Sequence, residues 1–253
     1  IFQSLSLNDS ERIMKSVRSG LADGLTKQQI QNAVFGTKKQ NYTDGILNTT
    51  SKNINNTANN SGVIRTVING IQNSSHDQLY QANSDIVKEV VYMATLDGRT
   101  TFICASRDGN IYPINDKPSL PAHINCRSQY RPLIDGFEEL SFGRPYVRDT
   151  RTRKEREKDF RKQAREDSVT IKEIKSRWEN KVIGQVNSKV DFTDWFESSP
   201  QYFQKEYLGN TRFKLYKDGG LKITDLVDKT GKQYTLDQLY RIDRDAFETA
   251  GLI

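Results

Sequence analysis

Both cysteines of the chain, Cys104 and Cys126, and one of its two histidines, His123, fall within a span of 23 residues. Thiolate and imidazole are the donor types that suit Zn2+, and the spacing His123-x-x-Cys126 lets one metal reach both side chains. The intervening segment could return Cys104 to the pair. A closed structural zinc site has four ligands, and Asp97 and Asp108 are candidates for the fourth that the spacing does not force. The same residues also suit a second arrangement without metal, in which two thiols are small buried hydrophobes and the imidazole is hydrogen-bonded. No cofactor is required by the sequence, and zinc is the one it could accommodate.

Catalytic signatures are missing from this chain. A Cys–His pair acts as nucleophile and base only with an orienting third group, which the spacing does not supply. There is no Walker loop, no Gly-x-Gly-x-x-Gly and no paired-carboxylate pattern. His76, in Ser74-Ser75-His76-Asp77, reads as a surface or capping residue. The expectation is a protein that binds and does not catalyse.

A second chemistry comes from charge. Residues 148–189 hold 14 Lys and Arg against 8 Asp and Glu, which accounts for the whole chain's excess of 38 over 32 and its net charge of +6. Arginine dominates, and guanidinium forks match phosphate oxygens. Arg148, Arg151, Arg153, Lys154, Arg156, Arg161, Lys162 and Arg165 are the candidate nucleic-acid contacts. An acidic protein groove would attract the same residues, and a merely solvated helix with i,i+4 ion pairs is the plainest reading.

These groups must be held by a mixed framework. Helices are predicted from Asn8-Asp9-Ser10 to Gly20, and from the capping box Thr26-Lys27-Gln28-Gln29 to Gly36. Residues 38–61 turn Asn- and Thr-rich with Ile46, Leu47 and Ile54 as sparse apolar positions, which fits either a linker or a thinly apolar helix that needs a partner. A helix follows over 61–83. The β-branched run 86–94 reads as a strand, and Phe102 to Ala105 with Asn110 to Tyr112 reads as a short β element about Asp108-Gly109.

Prolines 113, 118, 121 and 132 make regular structure scarce as far as Arg148. Residues 148–181 return to helix on the anchors Phe160, Val169, Ile171, Ile174 and Trp178. The last stretch is helical and aromatic: Phe192, Trp195, Phe196, Tyr202, Phe203, Tyr207, Phe213 and Tyr216 read as core. Gly209 and Gly219-Gly220 act as terminators there, and Thr235-Leu236-Asp237-Gln238 forms a capping box.

The fold class is therefore α+β, with mainly helical N- and C-terminal parts around a small β-containing core. Four parts are expected: polar N-terminal helices over 1–60 that dock on a partner, a core with the Cys/His motif over 61–147, a basic helical arm over 148–189, and an aromatic helical module over 190–253.

Composition narrows the class further. With 35% hydrophobic residues and a mean hydropathy of −0.74, no apolar run approaches the roughly 20 residues of a membrane span. Ile1-Phe2-Gln3-Ser4 lacks the basic and apolar regions of a secretory signal, and a chain starting at Ile1 is expected to be a fragment or a processed form. Two cysteines make no disulfide framework, so a reducing cytosol is the expected folding compartment and sequons such as Asn41-Tyr42-Thr43 are polar surface.

The segment TLDGRTTFICASRDGNIY followed by PAHINCRS resembles the core of the phage minor head proteins typified by protein F of phage Mu. Asp97, Arg99, Thr100, Cys104, Asp108, Gly109, Pro121, His123, Asn125, Cys126 and Arg127 match that family's pattern. Thr101 and Ser128 stand where the family often has further cysteines. A second block, DFTDWFESSPQYFQKEYLGNTRFKLYKDGGLKITDLVDKTGKQYTLDQL, is similar to the C-terminal segment of many such proteins, and the resemblance covers roughly 61–241. It implies a virion component of a tailed phage, made in the host cytoplasm and placed inside the head near the portal. Several copies would sit around the portal protein or a neighbouring head protein and against packaged double-stranded DNA, acting in head morphogenesis or DNA ejection. The motif polar residues Asp97, Arg99 and Asn125 would then serve to fix a loop.

Overall fold

Four Thr-x-x-Glu or Thr-x-x-Gln boxes set helix starts along the chain. In each, the threonine hydroxyl accepts the N3 amide and the N3 side chain accepts the threonine amide: Thr26/Gln29, Thr152/Glu155, Thr170/Glu173 and Thr235/Gln238. Each satisfies two amides that a helix start otherwise leaves bare, at a value of about 1 kcal/mol. In a computed structural model that describes residues 7–47, 57–134, 136 and 142–253, the chain divides into two units. The first comprises 1–90 and 112–132, the second 91–111 and 133–253.

The first unit is built on α1 (Leu7–Ala22), α2 (Lys27–Phe35) and α3 (Thr57–Ala82), which pack on one another. Ile13 and Val17 of α1, Ile30 and Val34 of α2, and Ile64 and Val67 of α3 form their shared core. α1 runs through Gly20, the expected stop, to Ala22. α2 ends at Gly36, whose φ of +81° is in the region that favours glycine.

The Asn- and Thr-rich segment begins as neither a linker nor a long helix. A 3-10 turn spans Lys38–Gln40, and the Leu47 amide donates to the Val34 carbonyl at 3.1 Å with Leu47 buried in the core. Asp44 ties the turn by accepting from the Thr37 amide and hydroxyl at 2.7 and 2.8 Å, and these bonds hold its carboxyl below the usual range. Ile54 and the rest of 48–56 lie outside the described residues.

The strands and the second unit's helices follow in order: β1 (Val87–Met93), β2 (Leu96–Asp97), α4 (Phe102–Arg107), β3 (Ile111–Pro113), β4 (Gln129–Ile134), β5 (Gly143–Val147), α5 (Arg153–Glu166), α6 (Ile171–Val182) and β6 (Ile183–Asn187). One sheet has the order β3-β1-β4 and the other β2-β5-β6. In the latter, β5 pairs antiparallel with β6 (Tyr146 opposite Gly184) and parallel with β2 (Leu96 opposite Tyr146).

Two expectations are corrected here. Phe102 to Ala105 is the helix α4 and not a strand, because its Cys104–Ala105 face is buried and the helix packs on a later 3-10 turn (Ile223–Leu226). Four apolar residues carry too little periodicity to decide between the two. The stretch before Arg148 is more regular than its prolines suggest. Pro132 lies in β4, an edge strand, and Pro145 in β5 lies where β2, which reaches only Tyr146 and Val147, makes no ladder.

The basic arm is a helix pair followed by a strand. α5 ends without glycine: Ser168 takes the left-handed conformation at φ +54°, and the Val169 amide returns to the Ala164 carbonyl. Phe160 and Ala164 face Ile174, Val169 and Trp178 in a small core of their own.

The aromatic module contains α7 (Phe192–Glu197), α8 (Gln201–Leu208), α9 (Asn210–Lys217), the 3-10 turn, α10 (Leu236–Ile242) and α11 (Arg244–Thr249). Phe192, Trp195, Phe196 and Phe203 are fully buried, with Leu215, Ile223 and Leu226 beside them. Among the expected core aromatics Tyr202 is the exception, exposed at 49%.

Candidate functional site

In the second unit, Asp97 at the end of β2 makes the turn that the motif's Asp-x-Arg-Thr spacing requires. Its Oδ1 accepts from the Arg99 amide at 2.9 Å and the Thr100 hydroxyl at 3.3 Å, and Thr100 also donates to the Thr95 carbonyl. Thr100 is buried and its carbonyl accepts from the Tyr207 hydroxyl at 2.8 Å, while Arg99 is exposed. Burial drives the Tyr207 phenol far above its ordinary range.

Asp108 holds a buried polar knot. Its carboxylate receives both oxygens' worth of hydrogen bonding from Arg144 of β5, at 2.8 and 2.9 Å, together with the Ala94 amide. Arg144 further donates to the carbonyls of Ala94 and Val190. Burial pushes the Asp108 carboxyl up, with the Arg144 guanidinium pulling against it. Gly109 follows at φ +82°, where a Cβ would sit 2.8 Å from that of Asp191. Two motif residues thus have structural reasons to be what they are: Asp97 fixes a turn and Asp108 closes on Arg144.

In the first unit, the turn His123–Cys126 closes with the Cys126 amide on the His123 carbonyl at 3.1 Å. Asn125 is left-handed at φ +62°, a conformation Asn tolerates, and its amide donates to Thr66 of α3 at 2.9 Å. Arg127 is exposed, and Asn69 and Asn73 of α3 both donate to the Ser128 carbonyl. A side-chain hydrogen bond with Cys126 raises the His123 pKa, against the opposing effect of burial. Cys104, for its part, accepts from the buried Tyr92 hydroxyl at 3.3 Å.

His123 and Cys126 belong to the first unit and Cys104 to the second, and each offers one donor atom of a kind that a metal takes. The donor set of two buried sulfurs and one half-buried imidazole fits zinc in kind.

The structure sorts the eight arm cations into two sets. Arg148 stacks on Tyr146, 4.5 Å from its ring centre, and donates to Ser199 and Ser198. Arg151 clamps Asp149 and Asp159, which raises its own pKa further. Arg156 lies over Trp178 at 5.2 Å and bonds the Arg151 carbonyl, and Arg153 and Lys162 pair with Glu157 and Glu166. Lys154, Arg161 and Arg165 make neither a hydrogen bond nor an ion pair among the described residues. Lys158, not among the eight, joins them, and its spacing of four from Lys154 was the available signal.

Asp149 is the other residue missed by sequence reasoning. It is 3% exposed, accepts the Trp178 indole N–H at 2.6 Å and three bonds from Arg151, and so ties α6 to the start of α5. Burial raises its carboxyl, but the bonds from Arg151 and Trp178 outweigh this and hold it below the usual range. Beside it a cavity of about 390 Å³ is lined by Arg148, Trp178, Lys181 and Tyr202 among others. Arg151 and Arg177 on its wall are already matched by Asp149 and Asp167.

Comparison with protein-family models, with curated proteins and with solved structures finds no match to this chain. Among the described residues no helix is long and apolar enough to cross a membrane.

Proposed function

We propose that this chain is a structural minor head protein of a tailed phage, held inside the head near the portal and acting in head morphogenesis or DNA ejection by sequence-blind contact with packaged DNA. The observation that carries the DNA contact is the exposed cationic face of a helix pair on an otherwise neutral chain. The motif resemblance carries the assignment to the head. In this reading the polar helices α1 and α2 dock on the portal or a neighbouring head protein, several copies form a ring, and the chain is synthesised in the host cytoplasm and catalyses nothing.

Two measurements test it. Duplex binding by the purified protein should weaken steeply from low to moderate salt, and salt-insensitive binding or none removes the DNA contact. Mass spectrometry of purified particles should find its peptides. Their absence would make the chain an assembly factor that leaves before maturation.

The His123–Cys126 turn, with a side-chain hydrogen bond between its two ends, favours a second reading, a metal-dependent nuclease or toxin-like enzyme built around Cys104, His123 and Cys126. Zinc bound at these residues is compatible with either function. Stoichiometric zinc with cleavage of DNA would establish the enzyme, and less than about a tenth of an equivalent with intact DNA would end it.

A further inference from the structure

We infer that the duplex backbone is held by one row of four side chains on α5, Lys154, Lys158, Arg161 and Arg165, while the other cations of the arm maintain the helix pair. This rests on the DNA-contact reading above and names the part of the surface that performs it.

Spacings of four, three and four residues place the row within roughly 60° of helix circumference and over about 16 Å of axis. All four residues are exposed, and none makes a hydrogen bond or an ion pair among the described residues. Together with Glu157, Lys162 and Glu166 they outline one shallow groove along the helix. Its two carboxylates are already engaged, Glu157 by Arg153 at 2.7 Å and Glu166 by Lys162 at 3.8 Å. Glu157 also lies in the field of Arg161 and Arg156, which lowers its pKa further. The row is therefore a line of four positive charges, none of them held in an ion pair among the described residues.

What this line fits follows from what accompanies it. The apolar residues of α5 are Phe160 and Ala164, both buried against α6, so its outward side offers no apolar anchor. Protein interfaces draw their energy from such anchors, aromatic ones above all, and a face without them suits a polyanion better than an acidic protein groove. Its outward side also carries no aromatic ring on which an unpaired base could stack, which disfavours single strands. At about 3.4 Å of axis per phosphate on one strand, 16 Å spans roughly five phosphates, close to the number of cations offered.

The test compares two variants of equal charge on the full chain. In the first, Lys154, Lys158, Arg161 and Arg165 are all changed to Gln. In the second, Arg153, Lys175, Arg177 and Arg244, each in an ion pair, are changed to Gln. Circular dichroism checks that both fold, and the single changes Lys158→Gln and Arg161→Gln stand in if the first does not. Affinity for a duplex of random sequence is measured from 50 to 200 mM salt.

The row variant should lose about 3.6 units of the log–log salt slope, which is about 150-fold less weakening over that range, and each single change about 0.9. The paired-cation variant should keep the original slope. Equal loss in both variants overturns the inference and leaves DNA contact standing, as does tighter binding of a single strand than of the duplex. A wild-type protein without a salt slope overturns the DNA contact itself.

Discussion

The aromatic module and the basic helix pair belong to the same unit and are stabilised by opposite means. In the module, Phe192, Trp195, Phe196 and Phe203 are fully buried with ring centres 5.2 to 6.2 Å apart, so apolar burial and ring packing carry the energy. In the helix pair, a core of Phe160, Ala164 and Ile174 is supplemented by capping boxes, by Asp149 bridging Arg151 and Trp178, and by surface pairs. A segment that buries little must gain its order from polar bonds made along its own length. What remains on its outer side is long, charged and unengaged, which is the condition for meeting a polyanion.

The largest expected effect breaks the module. Phe203→Ala should cost about 3–5 kcal/mol of unfolding free energy in denaturant titration, and a loss under 1 kcal/mol would mean that the ring cluster is not the module's core. Next, Asp149→Ala strands the Trp178 indole and one side of Arg151, which should destabilise the helix pair by about 1–3 kcal/mol. Hydrogen exchange would register it as lost protection over 153–182 with 192–216 unchanged. A uniform loss across both would show that the two regions are not separable.

Acid sharpens the contrast. Asp149, Glu155, Glu157 and Glu173 all have folded-state pKa values held below their ordinary ones, Asp149 against its burial and the three glutamates through bonds from Thr152, Arg153 and Thr170. A depressed carboxylate stabilises the fold above its unfolded pKa, near 4, and loses that contribution as pH falls through the folded value. Protection over 153–182 should therefore fall below about pH 4 while that over 192–216 persists. The smallest effect is Thr170→Ala, about 1 kcal/mol confined to the start of α6, and a change in the module's protection would contradict it.

Much of the local framework was legible. The boxes at Thr26 and Thr235, the stop at Gly36 and the strand near 87–93 depend on residues within a turn or a pleat of one another, and the aromatic core was legible from the density of its rings. The break inside the arm was harder to read, because Ser168 and not glycine takes the left-handed position. The matching box at Thr170 marks it all the same. Phe102 to Ala105 misled because the packing that makes it helical comes from residues 223–226. In the candidate site, His123 and Cys126 were legible as a pair from a spacing of three, whereas the engagement of Asp108 by Arg144 spans 36 residues.

The sequence by itself determined where several of the helices begin, where the charge lies and which residue types could bind metal or phosphate. These follow from composition and from contacts a few residues long. Only the tertiary structure decided which charges are left over. Arg144 closes on Asp108, Trp178 on Asp149 and Arg148 on Tyr146 and two serines, whereas Lys154, Lys158, Arg161 and Arg165 stay in solvent. A cation's availability depends on which acceptor lies within about 3 Å, a distance set by the folding of distant segments and not by its neighbours in the chain.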